Sequence, residues 1–105
     1  EDALRAWLAH AAPQGQATLE QAAADFGVTP RTMQRRLKDK GIRFQLLLAQ
    51  VRMETAQRML AESRLPVTQI AEQLGFSETS AFTRAFRTYT QLSPRAFRQA
   101  AFVPA

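Results

Sequence analysis

Arg31, Gln34, Arg35 and Lys38 fall at i, i+3, i+4 and i+7, and Ser80, Thr83, Arg84 and Arg87 repeat that frame. Residues so spaced share one face of a helix. Their chemistry is hydrogen bonding and charge. A guanidinium fork fits phosphate oxygens and the guanine edge, and a Gln amide fits adenine. Twelve of the fourteen bases in the chain are Arg. The positive charge is also confined. Residues 31–43 hold Arg31, Arg35, Arg36, Lys38, Lys40 and Arg43 against Asp39 alone, and residues 84–98 hold Arg84, Arg87, Arg95 and Arg98 with no acid. Elsewhere eight acids outnumber Arg5, Arg52, Arg58 and Arg64, so the net charge of +5 comes from two short segments. Such a balance points to a polyanion as partner.

Other chemistries find little support. There is no cysteine, which removes disulfides, zinc fingers and thiol nucleophiles. His10 is the single histidine and reads as a surface residue near a helix end. Glu54, Glu62 and Glu72 form no pair suited to acid–base work, and neither phosphate-binding glycine motif occurs. An enzyme is not expected, nor is any cofactor or metal. At 105 residues, 46% hydrophobic and 22% charged, the chain suits one small globular domain. It has neither an 18-residue apolar run nor a charged-then-apolar leader, so the expected location is the cytoplasm, with no membrane partner. It opens on Glu1 rather than Met and reads as a fragment.

Glycine and proline divide the chain into helices. Residues 2–12 place Leu4, Trp7, Leu8 and Ala11 on one face, and Pro13 with Gln14-Gly15-Gln16 ends that helix. Thr18 should cap the next helix, with Gln21 completing a capping box, and Gly27 should stop it after Phe26. Thr29-Pro30 opens a third helix that ends near Gly41. Residues 44–62 follow the helical period through Phe44, Leu47, Leu48, Val51, Ala56, Met59 and Leu60, as one continuous apolar face. Pro66 starts a short helix over 67–74 that stops at Gly75. Ser77 should cap a helix over about 78–89, and Ser93-Pro94 opens a last helix to about Ala100. Nothing alternates with period two. The expected fold is all-α, with seven helices.

An internal repeat organises these elements. With Gly27 set on Gly75, Ala23 falls on Ala71, Phe26 on Leu74, Val28 on Phe76 and Thr29 on Ser77. One extra residue in the second copy then brings Met33 onto Phe82, Arg35 onto Arg84 and Leu37 onto Phe86. A small residue where two helices cross, a glycine at the turn, and apolar residues on the second helix are what a helix-turn-helix needs. The basic stripes lie opposite Met33 and Leu37 in one copy and opposite Phe82 and Phe86 in the other. The intervening 19-residue helix spans roughly 28 Å, near the ~34 Å between successive major grooves on one face of DNA.

These residues resemble the DNA-binding domain of the AraC/XylS family of bacterial transcription regulators, from about residue 4 to residue 98. The most specific stretch is Ile70-Ala71-Glu72-Gln73-Leu74-Gly75-Phe76-Ser77, followed by Phe82-x-x-x-Phe86, Ser93-Pro94 and Phe97-Arg98. Val28-Thr29-Pro30-Arg31-Thr32-Met33-Gln34-Arg35-Arg36-Leu37 matches the first half. Gln91 departs from the family's usual Gly after the second recognition helix. The resemblance implies a first helix-turn-helix subdomain over 1–43, a linker helix over 44–63 and a second subdomain over 64–105. It implies sequence-specific binding of double-stranded DNA to regulate transcription. It places base contacts on Arg31, Gln34 and Arg35 in the first unit, and on Thr79, Ser80, Thr83 and Arg84 in the second. The helical wheel selects nearly the same set apart from Thr79. Lys38, Arg43, Arg87, Thr29 and Ser77 are then the phosphate contacts. The first unit should read more sequence, and the second should lean more on phosphates. The family further implies a separate N-terminal sensing or dimerisation domain, so the full-length protein would be dimeric through it while this fragment is monomeric.

Two other classes fit the same residues. A transposase or sigma-like module could carry tandem helix-turn-helix units, and a helical interaction module could offer its basic face to an acidic protein. Glu20, Asp25 and Glu72 could touch RNA polymerase, but read first as a solvated helix face. Trp7, Phe26, Phe44, Phe76, Phe82, Phe86 and Phe97 sit at core spacing and are expected inside rather than as stacking platforms.

Overall fold

A computed structural model of the chain describes residues 2–15 and 17–101. Gln16 therefore lies outside the described residues, as do residue 1 and residues 102–105. Seven α-helices run through the described part: α1 (Asp2–Ala11), α2 (Leu19–Asp25), α3 (Pro30–Asp39), α4 (Phe44–Glu62), α5 (Val67–Gln73), α6 (Thr79–Thr90) and α7 (Pro94–Ala101). The described residues contain no strand. The first helix is shorter than its periodicity suggests. It ends at Ala11 and tightens into a 3₁₀ turn over Ala12–Gln14, with Gly15 left-handed at its close.

Helix α2 packs on α3 and α5 on α6, while α4 touches α1, α5, α6 and α7. The result is elongated, 46 × 23 × 22 Å, and the radius of gyration of 14.9 Å exceeds the roughly 13 Å expected of a spherical domain this size. Two helix-turn-helix units thus hang on one long helix. They also abut, because α5 reaches the 3₁₀ turn of the first unit.

Helix α4 is apolar on two sides rather than along one face. Phe44, Leu47, Leu48, Val51 and Thr55 are buried on one side, and Met53, Ala56 and Leu60 are buried roughly 150° around the helix. Val51 and Thr55 lie beside Ala6 and Ala9 of α1, whereas Met53 lies beside Phe76 and Ala85 of the second unit. A helix that packs against two units must be apolar twice, which a single-face reading misses. Met59 accordingly drops to partial burial.

The two turns are built alike. Val28 N–H donates to Ala23 C=O at 2.9 Å and Gly27 N–H to Ala24 C=O at 3.1 Å; Phe76 and Gly75 repeat this with Ala71 and Glu72, both at 3.0 Å. This Schellman closure needs a left-handed residue, and Gly27 and Gly75 supply φ of 72° and 91°. Ala23 and Ala71 are fully buried at the crossings. Met33, Leu37, Phe82 and Phe86 hold the second helices down, and the rings of Phe76, Phe82, Phe86 and Phe97 form a chain with centroids 5.4–5.7 Å apart, edge-on at its two ends and tilted between Phe82 and Phe86.

Three local expectations change. Thr18 accepts from the Gln21 N–H at 3.0 Å, but the Gln21 amide turns to Asp25 Oδ1 at 3.0 Å, so the capping box is half made. Asp25 is a local acceptor rather than a free acid: Trp7 Nε1 donates to its Oδ2 at 2.8 Å. Ser77 does not cap α6. The extra residue of the second copy lies in its turn, so Glu78 takes the N-cap place without a side-chain bond. Thr29, its counterpart, does cap α3, accepting from the Thr32 N–H at 3.1 Å. Phe26 is a fourth correction. It is 41% exposed at the C-cap of α2, while Leu74, its partner in the repeat, is buried.

Candidate nucleic-acid interface

The second helix of each unit presents the expected stripe. Arg31, Gln34, Arg35 and Lys38 are all exposed along α3, opposite the buried Met33 and Leu37. Along α6, Ser80, Arg84 and Arg87 are exposed and Thr79 and Thr83 are half-buried, opposite Phe82 and Phe86. Thr79 is the first residue of α6 and sits at the rim of its stripe.

Gln34, Lys38 and Arg43 come together. They line one open groove between α3 and the start of α4, floored by Leu37, Ile42 and Phe44. Gly41, left-handed at φ 70°, folds the chain back so that Ile42 N–H reaches Leu37 C=O at 2.8 Å. That closure brings Arg43 beside the recognition helix, though it lies five residues beyond Lys38. Thr29 and Ser77 are both exposed in the turns. The Thr29 hydroxyl is engaged with Thr32, whose own hydroxyl lies 3.0 Å away.

Electrostatics leave the stripes unneutralised. The one ion pair among the described residues joins Arg5 to Glu54 at 3.2 Å, tying α1 to α4. Arg31, Arg35, Lys38, Arg43, Arg84 and Arg87 thus have no carboxylate of the described residues within 4.0 Å. Cations that fold without an internal partner keep their full charge for an external one.

Two features escaped the linear reading. Arg36 and Lys40 leave the stripe and line a separate groove behind α3 with Leu4, Phe26 and Val28. Arg52 of α4 packs on Phe76. The missed signal is one of spacing, since Arg52 stands as far before Gly75 as Leu4 stands before Gly27. The repeat therefore extends back into the helix that precedes each unit.

Comparison with known proteins agrees with this arrangement. The helix-turn-helix domain family matches residues 22–100. The HTH-type transcriptional regulator VirS of Mycobacterium tuberculosis is 41% identical over 86 residues, covering 82% of this chain and 25% of that protein. The ornithine utilization regulator of Pseudomonas aeruginosa is 39% identical over 78% of this chain and 24% of its own length. The chain thus spans about a quarter of these curated relatives. Among solved structures, the C-terminal domain of AraT, a response regulator from Geobacillus stearothermophilus, superposes with a TM-score of 0.76 at 30% identity, over 98% of this chain and 86% of that one. Two repeated helix-turn-helix units with basic outer stripes, on a chain that matches transcription regulators across most of its length, lead to one conclusion: it belongs to the AraC-type family of helix-turn-helix DNA-binding domains.

Proposed function

We propose that one copy of this chain reads an asymmetric stretch of double-stranded DNA by placing α3 and α6 in successive major grooves. The observation that carries this is the pair of exposed basic stripes on equivalent helices, without an ion pair among the described residues and joined by one 19-residue helix. The 46 Å long axis accommodates the ~34 Å between grooves. Arg31, Gln34 and Arg35 read bases through α3; Thr79, Ser80, Thr83 and Arg84 do so through α6. Lys38, Arg43 and Arg87 grip phosphates, with Thr29 and Ser77 at the helix starts. The Arg and Gln of α3 make bidentate contacts that the short hydroxyls of α6 cannot, so sequence preference is stronger in the first half-site. In the full-length bacterial protein this domain acts in the cytoplasm beside an N-terminal domain that senses or dimerises, and RNA polymerase is a further partner.

Selection from random duplexes supplies the site, and an insertion of about half a helical turn, ~5 bp, between its halves supplies the test. A stiff linker puts the halves on opposite faces of the duplex, and affinity falls toward that of one unit. Undiminished binding, with a footprint over one half only, would overturn the bipartite reading.

A further inference from the structure

Two cations of the basic segment have no place in this interface. On the helical wheel Arg36 stands about 140° from Arg31 and about 160° from Gln34 and Lys38. Lys40 follows it one turn later. Both line the groove behind α3, whose walls are Leu4, Phe26, Val28, Met33, Leu37 and Ile42. Among the described residues no acid lines that groove, and neither cation has an ion pair within 4.0 Å. Phe26, 41% exposed, leaves a large apolar face open at its edge. The second unit has the equivalent groove, behind α6, but fills it differently. Ala85 and Tyr89 stand where the repeat puts Arg36 and Lys40, and Arg52 stands on the floor where the first unit has Leu4. A cationic rim over an apolar floor is therefore particular to the first unit.

We infer that the groove behind α3 docks an acidic amphipathic helix of a partner protein. Its apolar side chains would lie on Phe26, Val28 and Ile42, and its carboxylates on Arg36 and Lys40. Apolar anchors spaced by helical turns seat in such a groove, and charge at the rim selects the partner. A like-charged helix is repelled by the two cations. A neutral one leaves them solvated and gains only the apolar contact. The inference rests on the DNA reading above in one respect: the groove faces away from the duplex, so protein and DNA can be held together.

The test uses the chain labelled with ¹⁵N, free and bound to its selected duplex. The probes are three helical peptides of about 18 residues, roughly 27 Å long, with one leucine face and flanks of Glu, Gln or Lys. The Glu peptide should move the amides of Phe26, Val28 and Ile42, bind at least about tenfold tighter than the Lys peptide, and do so equally on DNA. Arg36→Gln with Lys40→Gln should remove that preference. The same variant should change affinity for the duplex less than about threefold at physiological salt, where charges beyond ~8 Å are screened. Movement of none of these amides by any peptide, or equal binding of the Glu and Lys peptides, overturns the docking site while leaving the DNA reading intact. Movement of the Arg36 and Lys40 signals by the duplex alone overturns the orientation of α3 instead, and the docking site with it.

Discussion

The guanidinium of Arg52 lies over the ring of Phe76, its central carbon 5.4 Å from the ring centroid. One residue comes from the long helix, the other from the turn of the second unit. A Cβ added at Gly75 would stand 3.2 Å from the Arg52 Nη2, so the side chain also fills the space over the glycine. Burial pushes this guanidinium below its ordinary pKa, and among the described residues its Nε has no hydrogen-bond partner. What holds it is the stacked ring and the packed stem. The contact fixes the second unit on α4, and so helps to set its angle to the first.

Arg52→Ala should destabilise the fold by about 1–2 kcal/mol, from the lost cation–π contact and packed stem. Arg52→Met keeps most of the stem and removes the unpartnered Nε, so it should cost less. Urea unfolding compares them. Equal losses for the two variants would show that the charge, rather than the stem, carries the contact.

Ala23→Leu and Ala71→Leu should each cost roughly 1–3 kcal/mol by overpacking. Both residues are fully buried where the paired helices cross. Thermal melts that match the parent for both variants would contradict the close crossing in each unit.

Gln91→Gly should stabilise. Gln91 is the one non-glycine residue with positive φ among those described, at 69°, and it closes α6 through its N–H to Arg87 C=O at 2.8 Å. A left-handed conformation costs a side-chain-bearing residue roughly 1–2 kcal/mol, and glycine gives back ~0.5–1 in lost chain entropy. The variant also loses the Gln91 amide bond to Thr88 C=O at 3.2 Å, an exposed contact of small value. A gain of about 0.5 kcal/mol remains, read as a raised midpoint in urea. A lowered midpoint would mean that this amide bond outweighs the backbone strain.

The DNA contacts divide by their response to salt and sequence. Arg35→Ala and Gln34→Ala should each cost roughly 1–3 kcal/mol on the selected site and relax preference at one or two base pairs. Lys38→Ala, Arg43→Ala and Arg87→Ala should weaken all sequences alike and lower the salt slope by about one each. Titration against single-base variants at several salt concentrations separates the two classes. A uniform loss for Arg35→Ala would make it a phosphate contact.

Much of this architecture was legible because it is local. Glycines at the turns, small residues at the crossings and stripes at helical spacing are each decided within a few residues, and they recur in two copies. The repeat made the wheel's outward face credible twice. Spacing alone does not separate Ser77 from Glu78 as the cap of α6, because an extra residue can be placed in a turn or in a helix.

The sequence by itself determined the helices, the two turns and which face of α3 and α6 carries the exposed stripe, since helical periodicity opposes that face to Met33, Leu37, Phe82 and Phe86. Only the tertiary structure decided what happens between elements distant along the chain. It buried α4 on two sides because each unit packs on one of them, and it brought Arg43 beside Gln34 and Lys38. It buried Leu74 while leaving Phe26 at the edge of an open groove, and it laid Leu4, Val28 and Ile42 beside Arg36 and Lys40. The physical reason is the same in each case. Periodicity states which residues share a face, but burial and charge pairing depend on what the rest of the chain lays against it.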